Sequence, residues 1–156
     1  MIKLTRIDDR LVHGQVAFTW VSSLGIDCLV VANDKVAKDD FQKMAMGLAK
    51  PPSVKLTIMT LADSISFLND VKSKNAKILL LVNCVSDAFT MSIGVPDIKS
   101  INFGGIRIKD GARMISKAIA LSDEDKIIIR KMLENGLELE IRQVPTDKKQ
   151  FVENLI

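Results

Sequence analysis

The chain has 156 residues, 47% hydrophobic and 26% charged, and a formal net charge of +3. That length buries enough apolar surface for one domain to fold without disulfides or a structural metal. With aromatics at 4%, one Trp and no Tyr, the core has to be aliphatic, and scattered lysines without stacking aromatics exclude a nucleic-acid partner.

Apolar runs alternate with helical periodicity from end to end, which predicts a single α/β domain over 1–156. Ile2–Ile7 reads as the first strand and Gln15–Leu24 as the first helix, with Val16, Trp20 and Leu24 along one face and Gly25 as its stop. Cys28–Ala32 is a second strand. The helix after Asp34 gathers Ala37, Phe41, Met44, Ala45 and Leu48 on one side and ends before Pro51-Pro52. Val54–Met59 is a third strand, and Thr60-x-x-Asp63 opens a helix carrying Leu61, Ile65, Leu68 and Val71. Ile78–Val82 is the most apolar strand and is expected at the sheet centre. A short helix over Val85–Ile93, a strand over Ile98–Phe103 and a helix from Ser122-x-x-Asp125 to Glu134 follow. Leu137–Arg142 alternates like an edge strand with one wet face, and Pro145-Thr146 leads into a terminal helix with Phe151 and Leu155. Lys109–Leu121 reads equally as helix or as a loop with a short strand.

Cys28 and Cys84 lie in or beside apolar runs, without a CxxC or a nearby His, and read as reduced, buried thiols of a cytoplasmic protein. Met1–Arg6 lacks the apolar stretch of a signal peptide. No segment approaches the roughly twenty apolar residues of a bilayer span. No direct membrane insertion is expected, so any membrane role would run through a partner.

Chemistry concentrates on the one histidine, His13, in Arg6-Ile7-Asp8-Asp9-Arg10-Leu11-Val12-His13-Gly14-Gln15-Val16. It falls between a predicted strand and a predicted helix, where backbone N–H groups point at an anion, and in open α/β sheets ligands gather at the carboxyl ends of strands. Imidazole is both a neutral-pH titrating group and a nucleophile. Arg10 can bring a planar donor fork to a phosphoryl group, Gly14 removes a Cβ beside the ring, and the amides from Gly14 and Gln15 onward can face phosphate oxygens. Asp8 or Asp9 could hold one ring nitrogen and leave the other nucleophilic. Arg6 is either support for the site or a strand-end charge paired with one of those aspartates. Gly104-Gly105, after another strand, fits close backbone approach to a ligand or an ordinary turn. Asn33, Asp34 and Asn83 read as caps, and Leu11 and Val12 as either partner contacts or core plugs. With no second imidazole and no G-x-S-x-G elbow, histidine metal clusters and serine triads drop out, leaving a single-histidine phosphocarrier.

The His13 motif, with Trp20 beyond it, resembles the opening of IIB subunits from the mannose/fructose/sorbose family of bacterial sugar phosphotransferase systems. The likeness continues in Val31-Ala32-Asn33-Asp34, Ile101–Gly105, Gly136 and Val144-Pro145. The resemblance implies an open, mostly parallel twisted sheet of about seven strands with helices on both faces, a C-terminal edge strand free to run antiparallel, and Ser116–Ala120 as a short strand. It implies that His13 takes a phosphoryl group from a phosphohistidine of a IIA subunit, through Nδ1, and passes it to a sugar held by membrane IIC and IID subunits. Arg10 would stabilise that group, and no cofactor or metal is needed. Phe103 and Met91-Ser92 depart from the family pattern and point to an altered contact surface. A regulatory or anion-binding module of the same fold, without sugar turnover, is the alternative.

Overall fold

A computed structural model describes residues 1–156. Its strands are β1 (Ile2–Asp8), β2 (Cys28–Ala32), β3 (Lys55–Met59), β4 (Ile78–Val82), β5 (Ser100–Gly105), β6 (Ala112–Met114), β7 (Ala120–Ser122), β8 (Glu138–Ile141) and β9 (Gln150–Phe151). The helices are α1 (Gly14–Leu24), α2 (Asp40–Ala49), α3 (Leu61–Asn69), α4 (Val85–Gly94) and α5 (Asp123–Glu134). Seven strands form one sheet in the order β3-β2-β4-β1-β5-β8-β9, parallel except for the β8–β9 pair. β1 is therefore the central strand, with β4 beside it.

The sheet is covered on both faces, which explains why β2 and β4 are apolar at every position. Leu29, Val31, Leu79 and Leu81 pack under α1 and α2, while Val30, Leu80 and Val82 pack under α3, α4 and α5. Local signals place the helix starts. Thr60 Oγ1 accepts from Asp63 N at 3.1 Å, and Ser122 and Asp125 close a reciprocal capping box. No helix is long and apolar enough to cross a membrane.

Several expectations give way. Leu137–Arg142 is not an edge: β8 pairs in parallel with β5, and β9 covers its other side antiparallel. Its Glu140 is buried rather than wet. The expected terminal helix is instead β9, whose Gln150 and Phe151 pair with β8, followed by a 3₁₀ turn over Val152–Asn154. Ser116–Ala118 is bend rather than strand, and the short strand starts later: β7 pairs antiparallel with β6 as a separate ribbon. Phe103 and Met91 are fully buried, so these two repack the interior instead of altering a contact surface, while Ser92 is partly exposed.

The sharpest difference is α2. Phe41, Met44, Ala45 and Leu48 do share one side, as their spacing predicts, but all are exposed, Phe41 at 77% and Leu48 at 83%. The residue that anchors α2 is Met46, about 150° around the helix from that stripe. Amphipathic spacing identifies an apolar face without saying which way it turns. Urea unfolding should separate the two classes: Phe41→Ser or Leu48→Ser should change stability by less than about 0.5 kcal/mol. Leu80→Ala, in the β4 core, should cost about 2–5 kcal/mol.

Candidate functional site

β1 ends at Asp8, and the chain turns sharply there to reach α1. Asp8 Oδ1 accepts Arg10 N at 3.0 Å, and Asp8 O accepts Leu11 N at 2.9 Å. The turn puts Leu11 at φ 57°, a left-handed conformation that costs a non-glycine residue about 1–2 kcal/mol. Burial of Leu11 and Val12 beside Trp20 offsets that cost and fixes the loop, so both are core plugs. His13 then occupies the N-cap position of α1 in extended conformation, with no side chain capping the helix and no acidic residue in its first turn. The first amides of α1, at the positive end of its dipole, are left without an intrahelical acceptor.

The imidazole is held from one side only. His13 Nε2 lies 2.9 Å from Asp8 Oδ2, and the ring is 18% exposed. An ionised carboxylate only accepts, so Nε2 carries the proton and Nδ1 holds the free lone pair. Asp8 is thus the aspartate that orients the ring. Asp9 faces away and accepts from Arg107 through its backbone N at 2.8 Å and its Nε at 3.1 Å.

Behind Asp8 lies a buried polar row. Arg6, Asn102 and Glu140 are register partners across the adjacent strands β1, β5 and β8, each at most 2% exposed. Arg6 Nη2 donates to Asp8 Oδ2 at 3.2 Å, while Nη1 donates to Asn102 Oδ1 at 2.8 Å and to Arg142 O at 3.1 Å. Asn102 Nδ2 donates to both Glu140 oxygens at 3.2 and 3.3 Å. Arg142 closes the row with a two-pronged grip on Glu140 at 3.0 and 2.9 Å. The Trp20 ring takes the guanidinium of Arg6 at 5.5 Å and that of Arg142 at 5.1 Å. Burial lowers the Arg6 pKa, and the Asp8 and Glu140 charges pull it back up.

Above the row opens a cleft of about 640 Å³ lined by Arg6, Asp8, Arg10, Gly104, Gly105 and Lys117 among others. A second cleft of about 730 Å³, over the ends of β2 and β4, shares Asp9 and Arg107 with it. Within that second cleft Asn33 and Asp34 act as caps, accepting from Val36 N and Leu61 N at 2.9 Å each. Burial raises the pKa of both Cys84 and Asp87 there, which holds the thiol un-ionised.

The structure therefore brings Arg6, Asp8, His13 and Gly104 into one connected set. Arg10 is exposed on the rim of the first cleft, and Gln15 is exposed in the first turn of α1. Gly14 sits at φ 42° with open space around it, so backbone conformation rather than crowding favours glycine there. Gly104 is the opposite case: a Cβ would lie 2.0 Å from the Arg6 guanidinium carbon. Sequence reasoning missed Glu140, Arg142, Arg107 and Lys117. For Arg107 the available signal was a cation two residues beyond the Gly-Gly pair.

Residues 2–156 match the family model of the sorbose-subfamily IIB component of the phosphotransferase system. The sorbose-specific EIIB component of Lacticaseibacillus casei is 33% identical over 147 residues, covering 94% of this chain and 90% of that protein. The mannose-specific EIIAB component of Escherichia coli K12 is 33% identical over 156 residues, and this chain spans only 48% of its length. The crystal structure of the IIBSor domain of the Klebsiella pneumoniae sorbose permease superposes with TM-score 0.94 at 27% identity, covering 99% of this chain and 94% of that one.

The two glycines of the pair should behave differently. The Arg6 guanidinium cannot swing aside, being pinned by Asp8, Asn102, the Arg142 carbonyl and Trp20, so Gly104→Ala should cost about 1–3 kcal/mol in urea unfolding. Gly105→Ala meets only ordinary contact with Asp8, at 3.7 Å, and should cost less than about 1 kcal/mol.

Proposed function

The chain belongs to the sorbose-subfamily IIB components of the sugar phosphotransferase system, phosphoryl carriers in sugar uptake, and we propose that His13 is its carrier residue, reacting through Nδ1. The observation that carries this reading is the one-sided grip on the ring. Asp8 takes Nε2–H at 2.9 Å, while the opposite nitrogen is left free beside the uncapped start of α1.

The chemistry follows from that arrangement. Nδ1 attacks the phosphorus of a phosphohistidine on a IIA subunit, and the bond from phosphorus to the donor nitrogen breaks as the Nδ1–P bond forms. The His13 ring gains positive charge in this step, and the Asp8 carboxylate stabilises it, as a buried aspartate does for an imidazolium in a triad. Charge on the transferred group spreads over its equatorial oxygens. The amides of Gly14 and Gln15 and the guanidinium of Arg10 are the donors this reading assigns to receive it. The reverse geometry then hands the group to a sugar held by membrane IIC and IID subunits. The cytoplasmic protein meets the membrane only through them, and residues 1–156 act as one carrier domain.

Intact-mass analysis after incubation with phosphoenolpyruvate, the general phosphotransfer proteins and a family IIA subunit tests the reading. One acid-labile phosphoryl adduct is expected on the parent and none on His13→Gln. No adduct on the parent, with IIA phosphorylated in the same tube, would sink it. Arg10→Ala should leave the melting temperature unchanged, because the side chain is exposed, and slow acceptance about a hundredfold, as loss of one transition-state donor does. Transfer at the parent rate would remove Arg10 from the site.

A further inference from the structure

Glu140 touches neither His13 nor either cleft, yet it is a charged residue buried to 2% at the far end of the polar row. Pairing with Arg142 alone would satisfy its charge, and its contacts do not stop there. Both its oxygens also accept from Asn102 Nδ2, which donates to the Arg142 carbonyl as well at 3.2 Å, and these acceptors together fix which way round the Asn102 amide sits.

That orientation matters because the amide stands between an acceptor-only group and a donor-only group. A carboxylate demands the NH₂ end, and a guanidinium demands the carbonyl end. Only one orientation satisfies both, and it is the one observed, with Asn102 Oδ1 2.8 Å from Arg6 Nη1. Arg6 in turn has its other arm on Asp8 Oδ2, the same oxygen that takes His13 Nε2. Each link constrains the next, in a buried set where an unmatched donor or acceptor is costly.

We infer that Glu140 and Asn102 are positioning residues for His13: Glu140 fixes the Asn102 amide, Asn102 and the Arg142 carbonyl fix Arg6, and Arg6 fixes the Asp8 oxygen that selects the Nε2–H tautomer. The inference rests on His13 being the phosphoryl acceptor, and it assigns a role to residues well outside the reacting atoms. The isosteric change Glu140→Gln exposes it. A glutamine can present its own NH₂ to Asn102 and leave the Arg142 carbonyl as the one remaining acceptor on Nδ2, so a flipped amide, with a donor turned toward the donor-only Arg6, gains population. The Arg6–Asn102 bond is then lost, Asp8 is less restrained, and the ring is free to populate the Nδ1–H tautomer, which cannot attack.

His13 is the sole histidine, so its ring nitrogens can be read directly by ¹⁵N NMR at a pH where the imidazole is neutral. The parent should show a protonated Nε2 and a bare Nδ1. Glu140→Gln should gain Nδ1–H tautomer and lose about tenfold in phosphoryl acceptance, the low end of what groups that orient a reacting side chain contribute, since Glu140 acts through three intervening residues. Leu139→Ala is the control. It opens a cavity on the same strand at a fully buried residue on the opposite face, and should lower stability while leaving the tautomer and the rate per folded molecule unchanged. An unmoved tautomer in Glu140→Gln, or an equal shift in Leu139→Ala, overturns the positioning role. Should the parent take no phosphoryl group on His13, the proposed function fails separately, because the tautomer is read without any transfer.

Discussion

A guanidinium placed inside a parallel sheet, as Arg6 is in the central strand, has to be met by acceptors on several sides, and much of the site is what that requirement produces. Asp8, two residues along β1 on the same face, meets one arm. Asn102, its register partner on β5, meets the other, and the carbonyl of Arg142 adds a third contact. Trp20 from α1 covers the planar face, and Gly104 clears the space that a Cβ would fill. The buried set carries two guanidiniums, Arg6 and Arg142, against two carboxylates, Asp8 and Glu140. Near-neutral balance is what makes burying four charges tolerable, since desolvation otherwise outweighs attraction.

This arrangement also explains why the His13 loop can be rigid at its base and open at its tip. Everything behind the imidazole is buried and hydrogen-bonded, down to the left-handed Leu11 whose side chain is sunk in the core. Everything in front of Nδ1 is a helix end without a cap, and Arg10 stands on an exposed turn. A carrier needs this asymmetry. Preorganisation of the nucleophile speeds both directions of transfer, whereas a deep set of contacts to the phosphoryl group itself would trap it.

The His13 loop was legible from the sequence because its signals are local: one histidine, an arginine three residues before it, a glycine after it, and a strand-to-helix boundary. The alternation of elements was legible for the same reason. Local signals do not report direction, however. Glu140 in Leu-Glu-Leu-Glu-Ile-Arg has the same period whether its face meets water or a buried guanidinium, and only the register with Asn102 decides. Asp8 and Asp9 are adjacent and chemically identical, and the end of β1 separates them: Asp8 is the last strand residue and points inward, while Asp9 belongs to the turn and meets Arg107. The stripe on α2 shows the reverse error. Its spacing is correct for a core face, but Met46 docks the helix, so Phe41, Met44 and Leu48 turn outward.

Topology completes the account of why the histidine sits where it does. From β1 the chain crosses by α1 to β2 on one face of the sheet, whereas β4 crosses by α4 to β5 on the other, so the connections on the two sides of β1 diverge. Divergence leaves a crevice at the carboxyl end of the central strand, the position where open α/β sheets take their ligands. The Asp9–Arg107 pair stands in that crevice as the shared wall of two clefts, one toward β5 and one toward β2. A residue at the end of β1 is therefore rooted in the central strand of the sheet and still open to solvent from above. No edge strand could combine the two, because a row like Arg6–Asn102–Glu140 needs neighbours in register and β1 is flanked by strands on both sides.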